Sequence, residues 1–125
     1  MTRIGSIAAT VALVAAVAAC SGGGAAASVT PPPGAQVVVT AQNGSFDRSD
    51  LRAPAGKRFE IFFRNLDAAP HDVAIYTDSS ASTSLFSGQM INDAATVYEV
   101  PALTAGTYVF RCDVHPNMKG TFTVG

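Results

Sequence analysis

From residue 35 onward the chain is a series of short apolar runs separated by turn residues, and this pattern constrains the fold most. Residues 58–65 alternate, with Phe59, Ile61 and Phe63 on one face and mainly charged side chains on the other, as in a strand that buries one side. Similar runs recur at spacings of about ten residues, and no window carries a sustained helical period. The sequence therefore predicts an all-β Greek-key sandwich or barrel of about seven to eight antiparallel strands.

The expected elements follow from the same pattern. Strands are predicted at residues 36–41, 58–65, 71–77, 95–100, 106–112 and 120–124. Turns are predicted at Asn43-Gly44, at residues 54–57 and at residues 101–106, with a polar loop over 78–84, because Gly, Pro and Asn favour these conformations.

The chain has 125 residues, of which 48% are hydrophobic and 14% charged, which suits one small folded domain and excludes a highly charged disordered tail. A net charge of -1 gives no reason to expect nucleic-acid binding. We expect the domain to occupy residues 35–125. Residues 20–34, which contain a Gly/Ala run and then three prolines, are predicted to be a tether.

The N-terminus has the features of a bacterial export signal, because Arg3 precedes an apolar run that ends at Ala19. The end of this run, Val17 to Cys20, resembles a lipoprotein lipobox. We therefore predict a signal peptide at 1–19, a lipidated Cys20 that anchors the protein to the membrane, and a location on the periplasmic side of the cell envelope. Two alternatives stay open: an ordinary cleavage site that releases a secreted soluble protein, and an uncleaved anchor helix. All three place the domain outside the cytoplasm.

Cys112, His115 and Met118 stand three residues apart between two predicted strands, where one loop can turn all three towards a single point. Thiolate and thioether favour copper, whereas zinc has little use for a thioether. The sequence contains two histidines, so the remaining ligand is His71 if the site lies within the chain. Two imidazoles, one thiolate and a weak axial Met are the ligands of a blue copper electron-transfer centre. If Cys20 is lipidated, it cannot form a disulfide with Cys112.

An enzymatic function is not expected. A Cys112/His115 nucleophile pair lacks an evident third group to orient the base, and haem attachment needs a C-x-x-C-H motif, which is absent. Four protein ligands leave no open coordination position for a small-molecule substrate.

Residues 36–125 resemble the cupredoxins, specifically the plastocyanin, pseudoazurin and amicyanin group. The resemblance depends on N-x5-H-[DN] at Asn65, His71 and Asp72, on Gly-Thr-Tyr-x-Phe-x-Cys at residues 106–112, and on a short C-x-x-H-P-x-M loop most similar to that of amicyanin. It implies one mononuclear type 1 copper held by His71, Cys112, His115 and Met118. It also implies that both histidines bind through Nδ1, that Met118 is axial, and that electrons enter through His115.

Two residues depart from the family pattern. Asp72 and Asp113 stand where the family usually has Asn after the first His and Ser or Thr after the Cys. Hydrogen-bonding residues around a metal tune its potential, and we expect Asn65 and Asp72 to act in this way. An ionised Asp72 is hypothesised to accept a backbone N–H near Asp113, although two nearby carboxylates would repel each other.

The sequence therefore predicts an extracytoplasmic single-electron carrier that cycles between Cu(I) and Cu(II). Its expected partners are membrane or periplasmic redox proteins that dock transiently near His115, on small apolar or neutral neighbours: Ala68, Ala69, Pro70, Met90, Pro116 and Asn117. A monomer is expected. The main alternative is a copper-binding protein for storage or for delivery to an extracytoplasmic enzyme. A structural β-sandwich with an incidental metal is a weaker alternative.

Overall fold

The structure is a computed structural model, and it describes residues 29–125. The predicted signal peptide, Cys20 and most of the predicted tether lie outside the described residues. Within residues 29–125 the chain forms nine strands and no helix that could span a membrane. The strands are β1 (Val37–Gln42), β2 (Ser45–Phe46), β3 (Asp50–Ala53), β4 (Phe59–Asn65), β5 (Ala74–Tyr76), β6 (Ser84–Ser87), β7 (Ala94–Val100), β8 (Gly106–Arg111) and β9 (Lys119–Val124).

The strands form two sheets, with the orders β2-β1-β4-β7 and β3-β9-β8-β5-β6. The all-β fold class is confirmed, but the number and direction of the strands differ from the expectation. β1 pairs with β4 and β3 pairs with β9 in parallel. The chain leaves the first sheet after β2, contributes β3 to the second sheet, and returns as β4 beside β1. The two-residue β2 and the short β6 carry too little alternation to be predicted from the sequence.

Aromatic rings join the two sheets across the core. The ring centroids of Phe59 in β4 and Phe122 in β9 are 5.7 Å apart, and those of Phe46 in β2 and Phe110 in β8 are 5.3 Å apart. The predicted inward face of β4 is confirmed, since Phe59, Ile61 and Phe63 are all buried. Burying one such side chain stabilises the fold by about 1.5–3 kcal/mol.

The Asn43-Gly44 turn is confirmed and closes the β1-β2 hairpin. Asn43 and Gly44 have φ angles of 54° and 68°, as a two-residue turn with a right-handed strand twist requires. This left-handed conformation is easy for Gly and tolerated by Asn. The backbone N–H groups of both turn residues donate to the side chain of Asp67, which lies between β4 and β5.

The register of β5 against β8 brings together two distant parts of the chain. Ala74 lies opposite Arg111 in this antiparallel pair, and the same register continued by two residues places Asp72 opposite Asp113. His71 therefore comes close to Cys112. The strand predicted at 71–77 is shorter than expected, because the backbone of His71 pairs with Ile91 in an isolated bridge and β5 begins only at Ala74.

Candidate metal centre

Three of the four predicted ligands lie on the loop between β8 and β9. The backbone N–H of Cys112 donates to the carbonyl of Met118 at 2.9 Å, and the N–H of Met118 donates to the carbonyl of His115 at 2.9 Å. These bonds close the loop into a tight turn and fix the three residues relative to one another. Cys112 and Met118 are buried, so both sulfur-containing side chains face inward.

His71 reaches the same place from the connection between β4 and β5. Its backbone N–H and carbonyl both bond to Ile91 at 3.0 Å. Asn65, predicted to support the site, donates its side-chain amide to the carbonyls of Ala69 and Ile91 at 2.8 and 2.7 Å. Asn65 thereby holds the bend before His71 against the segment that pairs with it.

The donor atoms of His71, Cys112 and His115 form a compact triangle. The two Nδ1 atoms are 3.1 Å apart, and Sγ of Cys112 lies 3.7 Å from Nδ1 of His71 and 3.6 Å from Nδ1 of His115. A point equidistant from all three lies about 2.0 Å from each, close to the distances of roughly 2.0–2.3 Å at which N and S ligands bind first-row metals. The triangle fits one metal ion.

The chemistry of the donor set fits copper. Both imidazoles present Nδ1 to the centre of the triangle, as the resemblance implied. Met118 is buried, and its backbone hydrogen bonds to Cys112 and His115 hold it close to the triangle. A thiolate, two imidazoles and a nearby thioether match the preferences of copper. The part of the chain that the structure describes holds Cys112 as a free, buried thiol.

Burial affects both the protonation of the Cys112 thiol and the exposure of the two imidazoles to solvent. Loss of solvent around Cys112 raises the pKa of its thiol, because an apolar environment disfavours the charged form. His71 is 1% exposed, whereas His115 is only partly buried. One imidazole edge, that of His115, thus approaches solvent.

The predicted acceptor role of Asp72 is seen directly. Asp72 Oδ1 accepts a hydrogen bond from the backbone N–H of Asp113 at 2.7 Å. Asp72 is fully buried, and this desolvation, followed by the nearby charge of Asp113, raises its pKa.

The side chain of Asp113 has other partners, which the sequence did not reveal. Ser87 donates its hydroxyl to Asp113 Oδ2 at 2.8 Å, the hydroxyl of Tyr76 donates to Oδ1, and the guanidinium of Arg111 lies 3.8 Å from Oδ1. The hydrogen bond to Asp113 raises the pKa of Tyr76. These partners offset part of the repulsion expected between the two carboxylates.

Asp67 is a further residue at the site that the sequence reasoning missed. Its carboxylate lies 2.9 Å from Nε2 of His71 and accepts the backbone N–H groups of Gly44 and Asn43 at 2.9 and 2.7 Å. These backbone hydrogen bonds lower the pKa of Asp67. The available signals were its spacing of four residues before His71 and its position two residues after Asn65.

The predicted docking residues lie at the surface. Ala68, Ala69, Pro70, Met90, Pro116 and Asn117 are exposed. Val114, which the sequence reasoning did not select, is also exposed and precedes His115 directly. Apolar side chains are therefore available beside the accessible imidazole.

Comparisons with known proteins show the fold and the family of the chain. Solved structures similar to the chain include reduced auracyanin from Roseiflexus castenholzii, with a TM-score of 0.63 and 20% identity over 71% of this chain and 95% of that one. Auracyanin A, a "blue" copper protein from Chloroflexus aurantiacus, gives 0.62 and 19% over 71% and 97%. At these identities the likeness shows the fold.

A reduced single-substitution mutant of amicyanin matches with a TM-score of 0.57 and 27% identity, over 80% of this chain and 89% of that one. A comparison with curated protein sequences finds no match. The family model for the cupredoxin-like domain matches residues 9–124, and this range includes the candidate metal centre. The resemblance inferred from the ligand motifs is thus confirmed, and the chain belongs to the cupredoxin-like domain family.

Proposed function

We propose that the protein is a single-electron carrier with one mononuclear type 1 copper centre. The observation that carries this proposal is the triangle of His71 Nδ1, Cys112 Sγ and His115 Nδ1, with sides of 3.1–3.7 Å, of which only His115 approaches solvent. Copper, when bound, supplies the Cu(I)/Cu(II) couple. The protein residues hold the ligands in place and control access to them.

The ligands have different roles in this proposal. Cys112 would supply a buried thiolate, His71 a buried imidazole and Met118 a thioether, the set of soft and imidazole ligands that suits copper. His115 provides the partly exposed edge through which electrons pass. Cys112 directly follows β8, Met118 directly precedes β9 and His71 lies three residues before β5. The sheet therefore fixes the positions of these side chains, which should limit rearrangement between oxidation states.

The redox states of solved amicyanin structures support an electron-transfer function for this chain. The solved amicyanin variants include two reduced forms, one of them described as Cu(I), and one oxidised form, so proteins 26–27% identical to this chain have been obtained in both redox states. We propose the same cycling here. Redox partners would dock briefly on a small interface around His115 and Val114.

The location is also a proposal. The leader motif supports export and lipidation at Cys20, which would keep the domain near the outer face of a membrane where redox proteins reside. Lipid labelling of the expressed full chain, compared with a Cys20→Ala variant, tests this directly. Label in the wild type alone supports the anchor, and label in neither contradicts lipidation and favours a secreted protein or an uncleaved anchor helix.

Electron transfer and copper delivery are distinguished by what leaves the protein. We expect mixtures of the Cu(I) and Cu(II) chains to exchange electrons rapidly, measured by NMR line broadening, while a Cu(I) chelator removes copper slowly because three ligands are buried. Rapid loss of copper to the chelator, with slow electron exchange, would instead favour the delivery function.

Two exposed valines provide a matched pair for the docking surface. Val114 is 46% exposed next to His115, and Val97 is 39% exposed within β7. Val114→Lys places a cation where two copies must meet and should slow self-exchange, whereas Val97→Lys adds the same charge and should not. Equal rates in both variants would contradict electron entry at His115.

A further inference from the structure

The copper ligands differ in how their imidazoles are supported. Nε2 of His71 lies 2.9 Å from Asp67 Oδ2, and both side chains are largely shielded from solvent. Among residues 29–125, His115 has no carboxylate partner within ion-pair distance. Only one of the two imidazoles is therefore paired with an anion.

Two backbone N–H groups and one imidazole nitrogen lie within hydrogen-bond distance of the Asp67 carboxylate. Oδ1 accepts the backbone N–H of Asn43 at 2.7 Å, Oδ2 accepts that of Gly44 at 2.9 Å, and Oδ2 also faces His71 Nε2. An acceptor in this position requires the hydrogen of His71 to be on Nε2. Nδ1 of His71 then presents its lone pair to Cys112 and His115.

The carboxylate is itself held in place by the fold. The β1-β2 turn supplies two of its donors, and the backbone N–H of Asp67 donates to Asn65 Oδ1 at 2.9 Å. Since β1 pairs with β4, the hairpin and the bend that follows β4 are attached to the same sheet. The ring of His71 is thus linked through Asp67 to the first sheet, whereas Cys112 directly follows β8 of the second sheet.

We infer that Asp67 is a positioning residue that fixes the Nδ1-binding form of His71 and, through its negative charge, favours Cu(II) over Cu(I). A carboxylate that accepts a ligand imidazole N–H orients the ring and makes it a stronger donor. A stronger, more negative ligand set stabilises the more highly charged ion. This inference rests on the proposed copper site and assigns a determinant of its potential.

The test compares Asp67→Asn with Asp47→Asn in the full copper-loaded chain. Asp47 accepts the backbone N–H of Thr40 at 2.8 Å in the segment that follows β2, so it matches Asp67 in charge and in its backbone bond but does not contact His71. We expect Asp67→Asn to lower Cu(II) affinity by about 10–100-fold, with a smaller effect on Cu(I). Each tenfold difference raises the reduction potential by about 59 mV.

A second readout follows the hydrogen itself. In the diamagnetic Cu(I) protein, the His71 Nε2–H should exchange slowly with water by NMR, and Asp67→Asn should speed this exchange. Asp67→Glu keeps a carboxylate and should bring both the reduction potential and the Nε2–H exchange rate part of the way back to the wild-type values. It also allows both measurements if Asp67→Asn folds poorly.

The outcomes separate the inference from the proposed function. A potential and an Nε2–H exchange rate in Asp67→Asn that equal those of the wild type and Asp47→Asn would overturn the role of Asp67, with the copper site intact. A wild-type chain that binds no copper would overturn the proposed function and with it this inference.

Discussion

Asp72 Oδ1 accepts the backbone N–H of Asp113 at 2.7 Å, and this bond joins the two segments that carry the ligands. Asp72 directly follows His71, and Asp113 directly follows Cys112. The bond therefore spans the gap between an imidazole and a thiolate that are far apart in the sequence. The separation of these two ligands depends on it.

Removing this acceptor should destabilise the fold. Asp72→Ala leaves the N–H of Asp113 without its partner in a partly buried region, which costs about 1–3 kcal/mol. Asp72→Asn keeps a carbonyl acceptor for this N–H and should lose less stability than Asp72→Ala. Denaturant unfolding of both variants measures the difference. Equal stabilities for Ala and Asn would show that the bond contributes nothing.

Asp72 should also give the reduction potential a pH dependence. Burial raises the pKa of Asp72, so the carboxyl is neutral below that pKa and resembles Asn. Above it the negative charge stabilises Cu(II) and lowers the potential. We expect the reduction potential of Asp72→Asn to be higher than that of the wild type. The difference should increase as pH rises, because Asp72 then becomes negatively charged. Identical potentials at every pH, by voltammetry, would exclude a tuning role.

Copper uptake should release a proton from Cys112. Burial raises the pKa of this thiol, so at neutral pH the metal-free protein holds the proton that the metal must displace. The apparent copper affinity should fall about tenfold for each unit by which pH drops. Proton release during copper titration in weak buffer measures this, with Cys112→Ser as the control. Uptake without release would mean that the free thiol is already ionised.

Gly120, the second residue of β9 and close to the ligand loop, should not tolerate a side chain. A Cβ there would lie 2.3 Å from the carbonyl of Ser49 and 2.6 Å from the ring of Phe110. Gly120→Ala should therefore cost about 1–3 kcal/mol through overpacking. Gly106→Ala is the control, because its Cβ would meet nothing closer than 3.7 Å. Thermal melts that coincide for the two variants would contradict the close contact.

The sequence predicted those features that depend on local chemistry. The inward face of β4 followed from alternation of Phe59, Ile61 and Phe63, and the Asn43-Gly44 turn from the backbone conformations these residues allow. The candidate metal ligands were selected because C-x-x-H-x-x-M leaves few chemical alternatives and only His71 remained to complete the set.

The sequence could not predict features that depend on long-range pairing. The parallel β1-β4 and β3-β9 pairs arise where the chain crosses between sheets, which no local pattern reports. Asp67 is four residues from His71, but its role depends on donors from Asn43 and Gly44 in another hairpin. Two partners of the Asp113 carboxylate, Tyr76 and Ser87, come from β5 and β6, whose register is likewise set only in the folded protein.

Titration of the metal-free full chain with copper tests whether His71, Cys112 and His115 form a copper site. We expect one equivalent of Cu(II) to produce an intense visible thiolate-to-copper absorption that reduction removes reversibly. His71→Ala should weaken this absorption, and Cys112→Ser should abolish it. A chain that stays colourless with copper, or that keeps the same absorption in Cys112→Ser, would contradict a site built from His71, Cys112 and His115.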